Sequence, residues 1–248
     1  MRSAVALVLV TGCRSVLGLE PPAQQVVDDA PRVDRDTAMP DGAPFAACGN
    51  DMNLVACFDF EDTVKDLAPS PNSVAGVNVA YSSGQRGKAA LLDTASRIAI
   101  QDSVLLDVAA VSIEAWIYPT QTPSPAGRMG VIDVNGQYGM FLKPASAGAV
   151  LVCTAGSTFE AGGIAINQWT HVACTSANSV SIMYINGQVA AVATFPTPLE
   201  TSPSDGGEVG GNSPDGLDRF IGKIDVLRVY RTKRTDAEIC ADAAACAQ

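Results

Sequence analysis

The chain has 248 residues, 47% hydrophobic and 17% charged, with 16 basic against 26 acidic side chains and a net charge of −10. So much apolar material rules out a wholly disordered chain, and an acidic balance with no basic face argues against a nucleic-acid partner. The single histidine, His171, excludes His-rich metal sites and HExxH zinc hydrolases.

Residues 1–13 read MRSAVALVLVTGC. Arg2 gives a positive start and Ala4 to Val10 a short apolar stretch, the pattern of a secretory signal. No apolar run approaches the roughly 18 residues of a spanning helix. The stretch ends in Val10-Thr11-Gly12-Cys13, which resembles the lipobox of bacterial lipoproteins. That resemblance implies removal of signal residues 1–12, lipidation of Cys13 and membrane attachment through the lipid alone. Arg14 follows the cysteine where an aspartate would imply inner-membrane retention, so the expected location is the cell envelope, at the outer membrane. A plain secretion signal is the alternative. Cysteine usage supports export. Of seven cysteines, setting Cys13 aside leaves Cys48, Cys57, Cys153, Cys174, Cys240 and Cys246, an even set of the kind found in exported disulfide proteins. None has the CxxC spacing of zinc ribbons or thioredoxin-like redox sites.

Residues 13–47 carry Glu20-Pro21-Pro22, Asp28-Asp29, Pro31, Asp34, Asp36, Pro40 and Pro44, with no aromatic before Phe45. Such a segment buries too little apolar surface to offset its ordering entropy. It is expected to be a disordered tether spanning on the order of 30 Å. Residues 48–248 are expected to be one domain. From residue 52 onward, short apolar runs alternate with turn signals. Leu54, Ala56, Phe58 and Phe60 share a face, and Ile98 and Ile100 alternate with Arg97 and Ala99. Val111, Ile113, Ala115 and Ile117 oppose Ser112, Glu114, Trp116 and Tyr118. Val180, Ile182 and Tyr184 lead into Asn186-Gly187, the preferred pair for a type I′ hairpin turn, and Val189 to Val192 return. Phe220 to Tyr230 forms one more strand. Thr235 to Ala245 reads as a short helix, with a threonine cap and Asp236 and Glu238 in its first turn. The fold class is therefore all-β, an antiparallel sandwich with a short C-terminal helix.

Four stretches resemble a known family. They are Val55-Ala56-Cys57-Phe58-Asp59-Phe60-Glu61-Asp62; Ser112-Ile113-Glu114-Ala115-Trp116-Ile117; Trp169-Thr170-His171-Val172-Ala173-Cys174 with Tyr184-Ile185-Asn186-Gly187; and Gly222 to Tyr230. Their order and spacing resemble laminin-G-like, concanavalin A-like jelly rolls. The resemblance implies two packed antiparallel sheets in a surface-exposed binding module, most often for a polysaccharide or other glycan and sometimes for protein. One departure is Val226, where an acidic residue usually follows the aspartate. Jelly rolls of this type often hold one structural calcium, and Asp66 and Asp225 stand where such domains often carry aspartate. The acidic stretch 200–218, with Glu200, Asp205, Glu208, Asp215 and Asp218, is a further source of oxygen ligands or a ligand rim.

Cys153 and Cys174 sit in successive strand-like runs and would face each other if those runs pair antiparallel. For the remaining four cysteines, the local pairs Cys48–Cys57 and Cys240–Cys246 compete with a crossed arrangement that staples the chain ends. Catalysis finds little support. The E-x-D-x-E carboxylate pattern of related glucanases is absent, and Asp59 with Glu61 reads as a solvated face. Glu114 is a lone carboxylate, and no GxSxG elbow is present. Gly84 to Ala89 resembles a phosphate loop but reads better as a turn before a strand. His171 reads as a structural hydrogen-bonding residue. Trp116 and Trp169 are either sugar-stacking surfaces or sheet packing. The expected function is non-catalytic binding of carbohydrate. Protein adhesion and an unusual glycosidase are the alternatives.

Overall fold

The computed structural model describes residues 47–195, 199, 206–244 and 246. Cys13, the signal and tether segments before residue 47, and Glu200 and Asp205 lie outside the described residues. In chain order the strands are β1 (Leu54–Phe58), β2 (Val74–Val77), β3 (Ala80–Ser83), β4 (Lys88–Leu92), β5 (Arg97–Ile100), β6 (Val111–Pro119), β7 (Met129–Val134) and β8 (Tyr138–Pro144). They continue as β9 (Ala149–Ala155), β10 (Thr158–Ile164), β11 (Thr170–Ala177), β12 (Val180–Ile185), β13 (Gln188–Thr194), β14 (Gly207–Val209) and β15 (Gly222–Tyr230), followed by helix α1 (Asp236–Asp242).

Two antiparallel sheets result, as a jelly-roll sandwich requires. Sheet A runs β13-β12-β11-β6-β15-β4-β3, with β1 also paired to β15. Sheet B runs β10-β9-β8-β7-β14-β5-β2. Alternation decides which side chains meet between them. In β6, Val111, Ile113, Ala115 and Ile117 enter the shared core, where Met140, Leu142 and Leu151 of sheet B lie. Each such fully buried Val, Ile, Leu or Met side chain contributes about 1.5–3 kcal/mol. The other face of β6 carries Ser112, Glu114, Trp116 and Tyr118. The β12–β13 hairpin turns on Asn186 and Gly187 at φ 49° and 73°, the left-handed geometry that this pair tolerates. Helix α1 starts at Thr235, which forms a reciprocal capping box with Glu238. Its Ile239 packs on Ala173 and Tyr184, so the helix covers part of the outer face of sheet A.

The six cysteines of the domain form Cys48–Cys57, Cys153–Cys174 and Cys240–Cys246. The crossed arrangement of the chain ends is not the one adopted. Cys153 and Cys174 bond, but not across one ladder as the antiparallel argument supposes. β9 pairs with β8 and β10, whereas β11 pairs with β6 and β12. Both cysteines point into the core, and the bond ties sheet B to sheet A. The reason is β10, which occupies the edge of β9 that β11 was expected to take.

Candidate functional site

Strands β7 to β10 form a consecutive meander, so the β7–β8 and β9–β10 turns emerge at the same end of sheet B. Gly136 and Gly156 supply positive φ in these turns, at 76° and 73°, and Phe195 packs where a side chain on Gly156 would stand. A cleft of about 380 Å³ opens there, lined by Asp133, Gln137, Tyr138, Thr154, Ser157 and Thr158 among others. Asp133 projects from the outer face of β7, and its Oδ2 accepts the Ser213 N–H at 2.9 Å. Burial pushes its carboxyl up to about 6, against the opposing pull of the Ser213 N–H and Arg128. Gln137 is 6% exposed. Its Nε2 donates to Asp107, which leaves Oε1 buried without a hydrogen-bond partner. Ser157 Oγ is also buried and unpartnered. Tyr138 turns its hydroxyl away and donates to the Leu106 carbonyl at 3.0 Å. The cleft is thus a polar recess with small residues at its mouth and hydrogen-bonding capacity left over.

Asp133 lies directly opposite Glu208 in the β7–β14 ladder. Two carboxylates side by side on one sheet face are what a glycosidase needs, provided both reach the substrate. Glu208 is fully buried and ion-paired to Arg219 and, at 3.3 Å, to Arg97. The loop after β14 lies over it, and a Cβ on Gly211 would collide with its carboxylate. Arg128 fastens the same loop through Asp218 at 2.6 Å and Asn212 at 3.0 Å, while its guanidinium stacks on Phe141. Glu208 and Asp218, read from the sequence as part of a ligand rim, instead hold this loop against the sheet. Asp215 is exposed on it. The arrangement can bind hydroxyl-bearing ligands beside Asp133 but leaves one member of the acid pair sealed.

The tryptophans lie elsewhere, on the outer face of sheet A. Trp116 is 8% exposed and packs with Ala47 and Val226, with Cys48 and Trp169 against them. It meets His171 edge-on at 5.2 Å. Trp116 is therefore sheet packing rather than a sugar platform. Trp169 is half-buried and tilts against Tyr118 at 5.4 Å.

Glu114 is far from solitary. It is fully buried beside Arg228 at 3.1 Å, His171 at 3.6 Å and Arg234 at 3.8 Å. Asp242 of α1 joins the network, 3.3 Å from Arg228 and 2.6 Å from Arg234. Burial works to raise the Glu114 carboxyl, but His171 beside it and the two arginines hold it below the usual range. The network locks α1 to the sheet and faces no cleft. Asp59 is half-exposed and Glu61 exposed, as a solvated face requires.

The two aspartates considered for calcium differ sharply. Asp66 Oδ1 accepts from Cys57 N–H at 2.8 Å and Ala68 N–H at 3.0 Å. Its Oδ2 accepts from Asn72 N–H and Nδ2, each at 2.7 Å. Four donors fill the acceptor sites of a carboxylate, so Asp66 organises its loop and does not fit a metal. Asp225 sits at a bulge in β15 where Val226 adopts φ 45°. The bulge turns Asp225 toward the segment before β4, where Oδ2 accepts the Arg86 N–H at 2.8 Å. Val226, the departure from the family pattern, packs on Trp116 instead. Burial pushes the Asp225 carboxyl up to about 7, with nearby Glu61 adding to the rise. Its Oδ1 is buried without a hydrogen-bond partner, which fits a cation ligand. Among the described residues no group of three or more His, Cys, Asp or Glu side chains gathers as a metal cluster.

Comparisons with known proteins place these features in context. The profile of the concanavalin A-like lectin/glucanases superfamily matches residues 92–240. No curated protein matches the chain by sequence. Among solved structures, domain 4 of AbnA, a GH43 extracellular arabinanase from Geobacillus stearothermophilus, in complex with arabinotriose, superposes with a TM-score of 0.62 at 24% identity, covering 77% of this chain and 98% of that one. The binding domain of Paraclostridial Mosquitocidal Protein 1 gives 0.62 at 16% identity, over 77% of this chain and 52% of its own. The binding domain of botulinum neurotoxin DC in complex with rat synaptotagmin II gives 0.61 at 13%, over 79% and 52%. The chain spans about half the length of these toxin domains. At such identities the likeness is one of fold.

Proposed function

Because this chain belongs to the concanavalin A-like lectin/glucanases superfamily, we propose that it is a non-catalytic binding module for carbohydrate, held at the cell envelope by lipidation of Cys13. The observation that carries the reading is the cleft between the β7–β8 and β9–β10 turns, where Asp133, Gln137 and Ser157 offer hydrogen-bonding groups suited to sugar hydroxyls. The sealed Glu208 favours binding over hydrolysis. The arabinotriose complex of the AbnA domain is a precedent for this fold holding a sugar. The three disulfides suit an oxidising compartment outside the cytoplasm. Protein binding is the second reading, favoured by Val189 and Val192, which are exposed on the edge strand β13.

The test is a glycan array probed with the oxidised full chain carrying Cys13→Ser, which keeps it free of lipid. Selective capture by one sugar class that is lost in Thr158→Trp, a large side chain on the exposed wall of the cleft, supports the reading. A blank array from a folded sample moves the assignment to protein adhesion. The anchor is tested by the same Cys13→Ser change, which should release the protein from membranes; retention refutes lipidation. A calcium ion is proposed at Asp225 alone. Calcium should raise the melting temperature relative to EDTA, and Asp225→Asn should abolish the rise.

A further inference from the structure

The cleft is unequal in what it offers a ligand. Its floor carries the Asp133 carboxylate, the unpartnered Oε1 of Gln137 and the unpartnered Ser157 Oγ. Two of these three groups only accept hydrogen bonds, and the third can accept one. Among the described residues no basic side chain lines the cleft. Arg128, whose charge acts on Asp133, is tied to Asp218 and Asn212 and stacked on Phe141. The other charged groups around Asp133 are already matched. Glu208 lies between Arg97 and Arg219, and Asp107 accepts from Gln137. A ligand entering here therefore meets one uncompensated negative charge and acceptors that need donors.

Resting on the carbohydrate reading above, we infer that the cleft takes an amino sugar, whose ammonium sits on Asp133. An ammonium supplies a positive charge and three donors, which is what this lining lacks. The remaining hydroxyls of the ring meet Thr154 and Thr158, both on the cleft wall. The volume of about 380 Å³ lies toward the small end of ligand clefts, enough for a short saccharide. Uronic or sulfated sugars are excluded by the same logic, since they would bring a second anion against Asp133 with no arginine or lysine to receive it.

The experiment titrates the oxidised full chain carrying Cys13→Ser with three oligosaccharides of equal length. They are a glucosamine oligomer, its N-acetylated counterpart and an oligogalacturonate, each tested just above the pKa of Asp133. The glucosamine oligomer should bind at least about ten-fold more tightly than the N-acetylated one, the scale of one charge-assisted hydrogen bond. The oligogalacturonate should not bind measurably. Asp133→Asn should reduce the preference for the glucosamine oligomer over its acetylated counterpart to about two-fold or less. In the unmodified protein the preference should shrink as the pH falls through about 6, where Asp133 takes up a proton while the amine stays charged; this readout does not depend on the variant folding. Equal binding of the amino and acetylated sugars, or tightest binding of the oligogalacturonate, overturns the amine assignment and leaves carbohydrate binding standing. No binding of any sugar by a folded sample overturns both.

Discussion

Replacing Glu114 with glutamine tests whether the buried network is held by its charge balance. Glu114 and Asp242 supply two negative charges, and Arg228 and Arg234 two positive ones. Glutamine keeps the shape and leaves the set with one excess positive charge. The side chain of Arg228 is 7% exposed, so water cannot compensate. Breaking a buried pair from one side costs about 3–5 kcal/mol. Because Arg228 keeps Asp242 at 3.3 Å, the lower end applies, about 3 kcal/mol. For a domain of this size that is a fall in melting temperature of about 6–12 °C. The assay is urea unfolding at neutral pH, with Arg228→Met and the double variant completing a cycle. The double variant should recover stability relative to either single change, since neither charge is then left alone. The deficit of Glu114→Gln should be full above the ordinary carboxylate value of 4.5 and shrink as the pH falls below it, because the folded-state pKa is depressed. A loss under about 1 kcal/mol, or simple additivity in the cycle, would refute the reasoning.

Asp133 predicts the opposite pH dependence. Its folded pKa of about 6 exceeds the ordinary 3.8, so the folded protein keeps a proton that the unfolded chain has released. Its contribution to stability declines as the pH rises from about 4 to about 6 and is then level; Asp133→Asn should gain on the wild type across that window by no more than about 3 kcal/mol, and a flat difference argues against it. Replacing both Cys153 and Cys174 by alanine opens a separation of 21 residues that ties the two sheets, and should cost about 3 kcal/mol in urea unfolding. Thr235→Ala removes the hydroxyl half of the α1 capping box, leaving the backbone N–H to Glu238, and should cost about 1 kcal/mol, measured as loss of hydrogen-exchange protection in residues 236–242.

The sheet architecture is legible because burial repeats along single strands. Ile113 and Ile117 face inward and Ser112 and Glu114 outward by alternation alone, and Asn186-Gly187 marks its own turn. The Cys153–Cys174 pair could be read from spacing, but not its crossing of the core, because Thr158 to Ile164 is too glycine-rich to announce an intervening strand. The cleft leaves no local signature. Asp133, Gln137 and Ser157 are ordinary residues that become a site only when two turns are placed side by side by the β7–β10 meander. Glu114 looks solitary for a similar reason, since its partners Arg228, Arg234 and Asp242 lie more than a hundred residues along the chain. Trp116, read from the sequence as either a sugar-stacking surface or sheet packing, is covered, because the Ala47–Cys48 segment folds back over it.

That covering segment also fixes a direction. Ala47 and Cys48 rest on the outer face of sheet A, and Cys48 is bonded to Cys57 there. The cleft lies between two turns at one end of sheet B, in the other layer of the sandwich. A pull applied at Ala47 thus enters at sheet A and is borne first by Cys48–Cys57 and the β1–β15 ladder. The cleft is built from sheet B, so such a load reaches it through the core between the two sheets.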